Sequence, residues 1–330
     1  MQQFTIKPAD RILQSAWNQT KIVQFIQCHN EERFIQPVLR SIYDEVDEIL
    51  LIEGATVARP NRTETGHSTD GTVELIHDFI RNEDVDKKVC LIQKERAFLD
   101  LEEIKNTFLR HVEDGSWIII NDADEYYEPK DIRRIRELTY IYPDAIEFIA
   151  LFLHFYRDTK HIMKPDIDSG PQHQRIIKYR KGMHYKTHPV LTYPNGACSY
   201  FTPQLQPFRY ILNNVYIWHL GFVKGEDEIR SKAAFYEKEL EKHGDGGVSA
   251  HNKKTEDFLY HKEDLSKILA YDGHVPDSVK ALQIPDAACY EELQFENWLA
   301  SEPYCMEFPP NCWVLYKTGQ WNSYSNLARQ

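Results

Sequence analysis

An α/β fold, a mostly parallel sheet flanked by helices with a helical C-terminal extension, is predicted by three features of the sequence. Between residues 21 and 120, apolar strand-like runs alternate with amphipathic stretches in the order strand, helix, strand, helix, strand, helix, strand. Such alternation calls for a parallel sheet covered by helices on both faces. The fourth run, Trp117-Ile118-Ile119-Ile120, ends abruptly in Asn121-Asp122-Ala123-Asp124-Glu125, and the carboxyl end of a strand is where open α/β sheets bind ligands. From residue 226 onward the pattern turns helical.

The elements follow in order. Residues 1–20 read as an N-terminal arm, and residues 21–27 (KIVQFIQ) as the first strand. Asn30 can cap a helix that runs to Tyr43, with Glu31 and Glu32 in its first turn and Phe34, Ile35, Val38, Leu39 and Ile42 at helical spacing. Residues 48–52 (EILLI) form a second buried strand that ends at Glu53-Gly54, and a polar stretch over 55–67 follows. Ser68-Thr69-Asp70-Gly71-Thr72 leads into a helix to Ile80, with Ser68 or Thr69 as cap and Asp70 at the positive end. Residues 88–93 are a third strand, 101–111 a helix, and 117–120 the fourth strand. Beyond it lie a short helix over 129–138, a strand region over 145–155, a His-, Arg-, Lys- and Tyr-rich stretch over 157–207 and a strand-like run over 215–222. Helices are expected over 227–243, 255–271 and 289–300. The implied division is an arm (1–20), a catalytic domain (21–225, with halves 21–129 and 130–225) and an extension (226–330).

Composition sets the bounds. The chain of 330 residues has 42% hydrophobic and 27% charged residues, which excludes wholesale disorder. A net charge of −12 argues against broad nucleic-acid binding, which rests on basic surface. No run is long and apolar enough to span a membrane. The six cysteines form no C-x-x-C pair, so reduced thiols in a cytoplasmic protein are expected rather than zinc. The aspartates carry the chemistry. In an extended segment Asp122 and Asp124 share one side. Two hard oxygen ligands there suit Mn²⁺ or Mg²⁺, and such a metal suits a diphosphate; the bland alternative is a solvated acidic turn.

With these motifs in hand, the chain resembles the family 2 glycosyltransferases of the GT-A (Rossmann-like) fold. His29-Asn30-Glu31-Glu32 after the first strand is similar to the family's (Y/H)NEE, Ser68-Thr69-Asp70-Gly71-Thr72 to its STDGT, and Asp122-Ala123-Asp124-Glu125 to its DADE. Arg175-Ile176-Ile177-Lys178, then Tyr185 and His188, resembles a segment of the lipopolysaccharide-core glucosyltransferase-like branch, with Pro189 where that branch has Glu. A further departure is that the family's DDGSTDGT is split: Glu53 stands in place of Asp, and residues 55–67 intervene before Ser68.

The resemblance implies transfer of a sugar from a nucleotide diphosphate sugar to an acceptor hydroxyl, with inversion, and a UDP-hexose such as UDP-glucose as donor. It implies a metal held by Asp124 and His219, with Asp122 as a ribose or second metal contact and Glu125 orienting either carboxylate. Gln27, His29 and Glu53 would meet the nucleoside, Lys105 and Asn106 would face the donor with Lys105 toward its phosphate, and Arg175 would hold a donor phosphate or an anionic acceptor. His188, Asp166 and Asp168 are candidates for the base that takes the acceptor's proton. The acceptor would be a glycan, a saccharide or another hydroxyl compound. A basic and aromatic strip (Lys164, Arg175, Lys178, Tyr179, Arg180, Lys181, Tyr185, Lys186) leaves a modified DNA base as the lesser alternative. Two other functions are open, a non-catalytic module on this fold and a nucleotidyltransferase. The intact acid pair weighs against the first. The stretch after the first strand, neither Gly-rich nor basic, weighs against the second.

Overall fold

The computed structural model describes residues 20–163, 175–187, 190–197, 209–224, 228, 235, 268–271, 273–282, 284, 313–315 and 321–323. Four apolar runs form the parallel half of the sheet: β1 (Ile22–Cys28), β2 (Glu48–Glu53), β3 (Val89–Ile92) and β4 (Trp117–Asp122). β1 pairs in parallel with β2 on one side and β4 on the other, while β3 lies outside β2. The chain thus moves outward from β1 to β3 and then crosses back to β4. The crevice between the carboxyl ends of β1 and β4 is the switch point, where such sheets bind ligands.

β5 (Glu125–Tyr126), β6 (Glu147–Tyr156), β7 (His161–Met163), β8 (Ile176–Lys178), β9 (His184–Thr187), β10 (Val190–Thr192) and β11 (Arg209–Phe222) follow. The sheet continues past β4 as β8, β6 and β11. β8 is antiparallel to both β4 and β6, and β11 runs parallel to β6. β5 pairs with β11 and sets Glu125 opposite His219. The sheet is mixed and mostly parallel, with flanking helices, as the sequence predicts.

Helices α1 (Ile35–Ile42), α2 (Thr72–Asn82), α3 (Leu101–Leu109) and α4 (Pro129–Ile141) complete the body. Alternation along β1 divides the core. Ile22 and Ile26 pack with Ile35, Val38 and Leu39 of α1, and Val23 and Phe25 pack with Ile104 and Phe108 of α3. Phe25 and Phe108 stack with ring centroids 3.8 Å apart. Full burial of side chains of this size stabilises by about 1.5–3 kcal/mol each.

Two expectations need correction. Asn30 does not cap α1: it is left-handed (φ 55°), and the helix begins later, after Phe34. Asparagine visits that conformation more readily than most residues, and here its side chain is held by the Asn61 carbonyl and the Thr69 N–H. Within the helix expected over 255–271, residues Ile268–Ala270 instead form strand β12, antiparallel to β7. A short apolar run does not by itself distinguish strand from helix, and here the edge of β7 supplies hydrogen bonds. Later strands β13 (Trp313–Leu315) and β14 (Trp321–Ser323) extend the sheet from β11, and α5 is the short helix Asp277–Lys280. The arm is outside the described residues but for Thr20, as is the helix expected over 289–300.

Candidate active site

The carboxyl ends of β1 and β4 and the loops after β1 and β2 enclose a cleft of about 420 Å³, lined among others by Gln27, His29, Glu31, Arg59, Asp122 and Asp124. That size falls within the range of small-molecule sites. In the β1–β4 register Gln27 faces Asp122, and Gln27 Nε2 donates to Asp122 Oδ1 at 2.8 Å. Gln27 Oε1 and His29 Nε2 are buried polar atoms without a partner in the protein. Burial, with the Arg59 charge nearby, lowers the His29 pKa to about 4, so its ring is neutral at pH 7.

The His29-Asn30-Glu31-Glu32 and Ser68-to-Thr72 motifs are stitched together. The Asn30 backbone N–H donates to Ser68 Oγ at 2.9 Å, and Asn30 Oδ1 accepts from the Thr69 N–H at 2.8 Å. The Glu31 N–H donates to Thr72 Oγ1 at 2.8 Å. Asp70 serves the start of α2 by accepting from the Thr72 N–H at 3.0 Å, while Ser68 turns to Glu53.

Glu53, expected at the nucleoside, is not among the residues that line the cleft. It is fully buried. One carboxylate oxygen accepts from the Ser68 N–H and hydroxyl, both at 2.8 Å, and the other from His67 Nδ1 at 2.7 Å and Gln93 Nε2 at 2.9 Å. Burial by itself would raise its pKa, yet these hydrogen bonds outweigh it and hold the carboxyl below its ordinary value. Glu53 closes the neck of the 54–67 loop. The same neck brings Gly66 (φ +92°) so close to Ala97 that a Cβ there would lie 2.4 Å from Ala97 Cα.

Asn106 and Lys105 also lie away from the cleft lining. The Asn106 amide is taken up with the Tyr185 backbone, donating to its carbonyl at 2.9 Å and accepting from its N–H at 2.8 Å, which pins α3 to β9. Lys105 is buried with its ammonium 5.0 Å from the Tyr185 ring centroid. Burial, and then the charge of Arg175, bring its pKa down to about 8.

At the end of β4 the two aspartates have different settings. Asp122, at 36% side-chain exposure, holds Gln27 on one oxygen and Arg175 Nη2, 3.1 Å away, on the other. Arg175 also reaches buried Glu125. Burial works against the guanidinium's charge, but Glu125 and Asp122 beside it hold its pKa above the ordinary value. Arg175 is therefore an anchor of the acidic turn rather than a cleft-lining phosphate contact. Asp124, at 4% exposure, lies 3.1 Å through Oδ2 from Lys224 Nζ and 3.7 Å through Oδ1 from His219 Nε2. The Leu220 N–H donates to the Asp124 carbonyl at 2.8 Å, which fixes β11 against the turn. His219 Nδ1 meets His154 Nδ1 at 2.6 Å, leaving Nε2 toward Asp124.

The donor set suits part of a metal site. Asp124 Oδ1 and His219 Nε2 offer a hard oxygen and an imidazole to one cation, whereas both oxygens of Asp122 are committed elsewhere. Among the described residues no three His, Cys, Asp or Glu side chains form a metal-holding group. Mg²⁺ commonly binds through one or two carboxylates plus substrate phosphates and water, so two protein ligands fit a metal that a diphosphate completes.

Residues 65–204 match the model of glycosyl transferase family 2. The match spans the Ser68-to-Thr72 motif, the Asp122-to-Glu125 turn and Arg175. No curated protein matches the sequence. Among solved structures the chain is similar to S. aureus TarS 1–349, with 14% identity over 75% of this chain and 74% of that one at a TM-score of 0.38. It is likewise similar to the same protein in complex with UDP-GlcNAc (13% identity, 73% and 71% covered, TM-score 0.39). A third similar structure is glucosyl-3-phosphoglycerate synthase from Mycobacterium tuberculosis in complex with Mn²⁺, UDP and glucosyl-3-phosphoglycerate (15% identity, 46% and 50% covered, TM-score 0.30). The narrower likeness to the lipopolysaccharide-core branch rests on the sequence motif alone.

The expected bases, His188, Asp166 and Asp168, lie outside the described residues. Among the described residues the basic strip does not form an aromatic platform: Tyr179 and Tyr185 are buried and Arg175 is turned onto Asp122 and Glu125. Lys224, Glu31 and His154 are the site residues that sequence reasoning missed. Lys224 follows His219 by five positions with no motif of its own, and His154 sits inside an apolar strand.

Proposed function

We propose that the chain transfers a hexosyl group from a UDP-hexose, with UDP-glucose as the first candidate, to an acceptor hydroxyl on a glycan, saccharide or other hydroxyl compound, by a single inverting displacement that depends on Mn²⁺ or Mg²⁺. The observation that carries this proposal is the convergence of Gln27, His29, Asp122 and Asp124 on one cleft at the β1–β4 switch point. The unpartnered Gln27 Oε1 is an acceptor, and the neutral His29 ring can donate or accept through Nε2. That pair supports a base whose edge mixes an N–H with carbonyl oxygens, as uracil's does. Asp124 and His219 would hold the metal, which when bound supplies positive charge against the departing diphosphate. Gln27 and Arg175 keep Asp122 fixed in the cleft wall. The acceptor's proton would go to one of His188, Asp166 and Asp168.

A cytoplasmic setting belongs to the same proposal and is supported by the free thiols of Cys28 and Cys90. No helix among the described residues is long and apolar enough to cross a membrane. A DNA acceptor is not proposed, because the aromatic side chains it would stack on are buried.

Thermal melting across a panel of nucleotide sugars, with Mn²⁺ and with chelator, tests the proposal. A ligand that binds the native state alone raises the melting temperature by mass action. The expected result is a rise with a UDP-hexose that chelation removes. No rise with any nucleotide sugar would overturn it.

A further inference from the structure

Asp124 is already neutralised within the protein. Lys224 Nζ lies 3.1 Å from Asp124 Oδ2 and 2.9 and 3.0 Å from the two oxygens of Glu31, and its side chain is 9% exposed. Lys224, Glu31 and Asp124 all line the cleft. The base of the Lys224 side chain is fixed, since Arg33 Nη1 donates to the Val223 carbonyl at 3.2 Å and the Val223 N–H to the Leu220 carbonyl at 2.9 Å.

We propose that Lys224 is a donor-diphosphate residue that also excludes free metal: without nucleotide its ammonium occupies Asp124, and it passes to the diphosphate when the metal arrives bound to that diphosphate. The inference rests on the function proposed above. A bare divalent cation approaching Asp124 meets an ammonium on one oxygen and, among the described residues, gains only Asp124 and His219 as ligands. Like charges brought together in a partly buried site repel strongly. A metal–diphosphate complex differs in two respects. It brings its own oxygen ligands, and it gives the displaced ammonium a charged acceptor, for which a lysine is a common partner. Glu31 remains bonded to Lys224 throughout, so the transfer is a change of side-chain rotamer about a fixed backbone. It needs no loop movement.

The test uses the full chain as wild type, Lys224→Gln and Lys224→Arg, with two measurements. One is Mn²⁺ affinity without nucleotide, read by electron paramagnetic resonance. The other is UDP affinity at saturating Mn²⁺, read by calorimetry. Losing a buried charged contact commonly shifts affinity by at least about tenfold. Lys224→Gln is therefore expected to bind Mn²⁺ alone more tightly and UDP with Mn²⁺ more weakly, each by that factor or more, while Lys224→Arg stays near wild type in both. A merely structural lysine would move both affinities the same way, or neither. If either opposing shift is missing in a Lys224→Gln protein that melts cooperatively, the proposal is overturned. A wild-type chain that binds no UDP under any metal overturns the functional proposal itself, a result distinct from wild-type binding that Lys224→Gln leaves unchanged.

Discussion

Arg175 Nη2 stands 3.1 Å from Asp122 Oδ2, on the far side of the carboxylate from Gln27. The first aspartate of the acidic turn is thus clamped between a guanidinium and an amide, while the second, Asp124, is balanced by Lys224. The two acids divide the work. Asp122 is a fixed wall of the cleft, held by groups that also brace Glu125. Asp124 faces a lysine and a histidine, groups that a metal and a diphosphate can displace or share.

Under the proposed function, that division predicts that turnover depends on Asp124. Asp124→Ala is expected to lower sugar transfer by at least about 100-fold, the scale of removing one group that stabilises charge in a transition state. The fold should remain, because Lys224 keeps Glu31 as a partner. Product formation from a UDP-hexose, beside a melting curve, checks both. Wild-type turnover in this variant would remove the assignment.

His219 and His154 are expected to act as a pair. His219→Ala should weaken Mn²⁺-dependent UDP binding, and His154→Phe should do so less directly by releasing the contact at His219 Nδ1. Losing a group that orients a metal-ligating histidine typically costs about 10–100-fold in metal affinity. Calorimetry of UDP at a series of Mn²⁺ concentrations would show a shifted metal dependence in both variants. An unchanged dependence in His219→Ala would return His219 to the core of the β6–β11 pair.

The parallel half of the fold was legible because β1, β2 and β4 are near-continuous apolar runs, each ending in polar residues that a buried strand cannot carry further. Gln27, His29, Asp122 and Asp124 were legible as a cleft for the same reason, since strand ends at a switch point share one side of the sheet. What failed was the direction of single side chains. Glu53 ends a strand as Asp122 does, but the 54–67 loop folds its ends over it, and His67, Ser68 and Gln93 take up its carboxylate. Asn106 carries no local mark of its bonds to Tyr185, which lies in a distant strand. Lys224 is invisible to periodicity because its partners, Glu31 and Asp124, come from the ends of β1 and β4.

Lys105 should make stability depend on alkaline pH. Its pKa is about 8 in the folded chain against 10.5 for an ordinary lysine. Below about 8 the folded chain carries a charge that its surroundings disfavour. Between about 8 and 10.5 the unfolded chain binds the proton and the folded chain does not, so stability rises with pH across that window. Lys105→Met lacks this response. Its advantage over wild type should be largest at neutral pH, up to about 3 kcal/mol, and should shrink as pH approaches 10.5. Urea denaturation at pH steps across the window checks the sign, and parallel curves for the two proteins would refute it.

Glu53 should likewise make stability rise with pH, here at the acid end, and have no effect on nucleotide binding. Its carboxyl is held below the ordinary 4.5 in the folded chain. The stability it contributes is therefore fully present above the unfolded value and is lost as pH falls through the folded one. Glu53→Gln keeps the shape but loses the charge. Hydrogen bonds to a charged group contribute about 1.5–3 kcal/mol each, so the deficit at neutral pH should be of order 3 kcal/mol. It should fade below pH 4.5 as the wild-type carboxyl is itself protonated. Because Glu53 does not line the cleft, the affinity of folded Glu53→Gln for UDP with Mn²⁺ should stay within about twofold of wild type, the scale of surface effects remote from a site. Denaturation midpoints at several acid pH values and one calorimetric titration separate the roles. A protein of normal stability that had lost UDP affinity would restore Glu53 as a nucleoside contact, whereas an unstable one with its affinity intact identifies the residue as the fastening of the inserted loop.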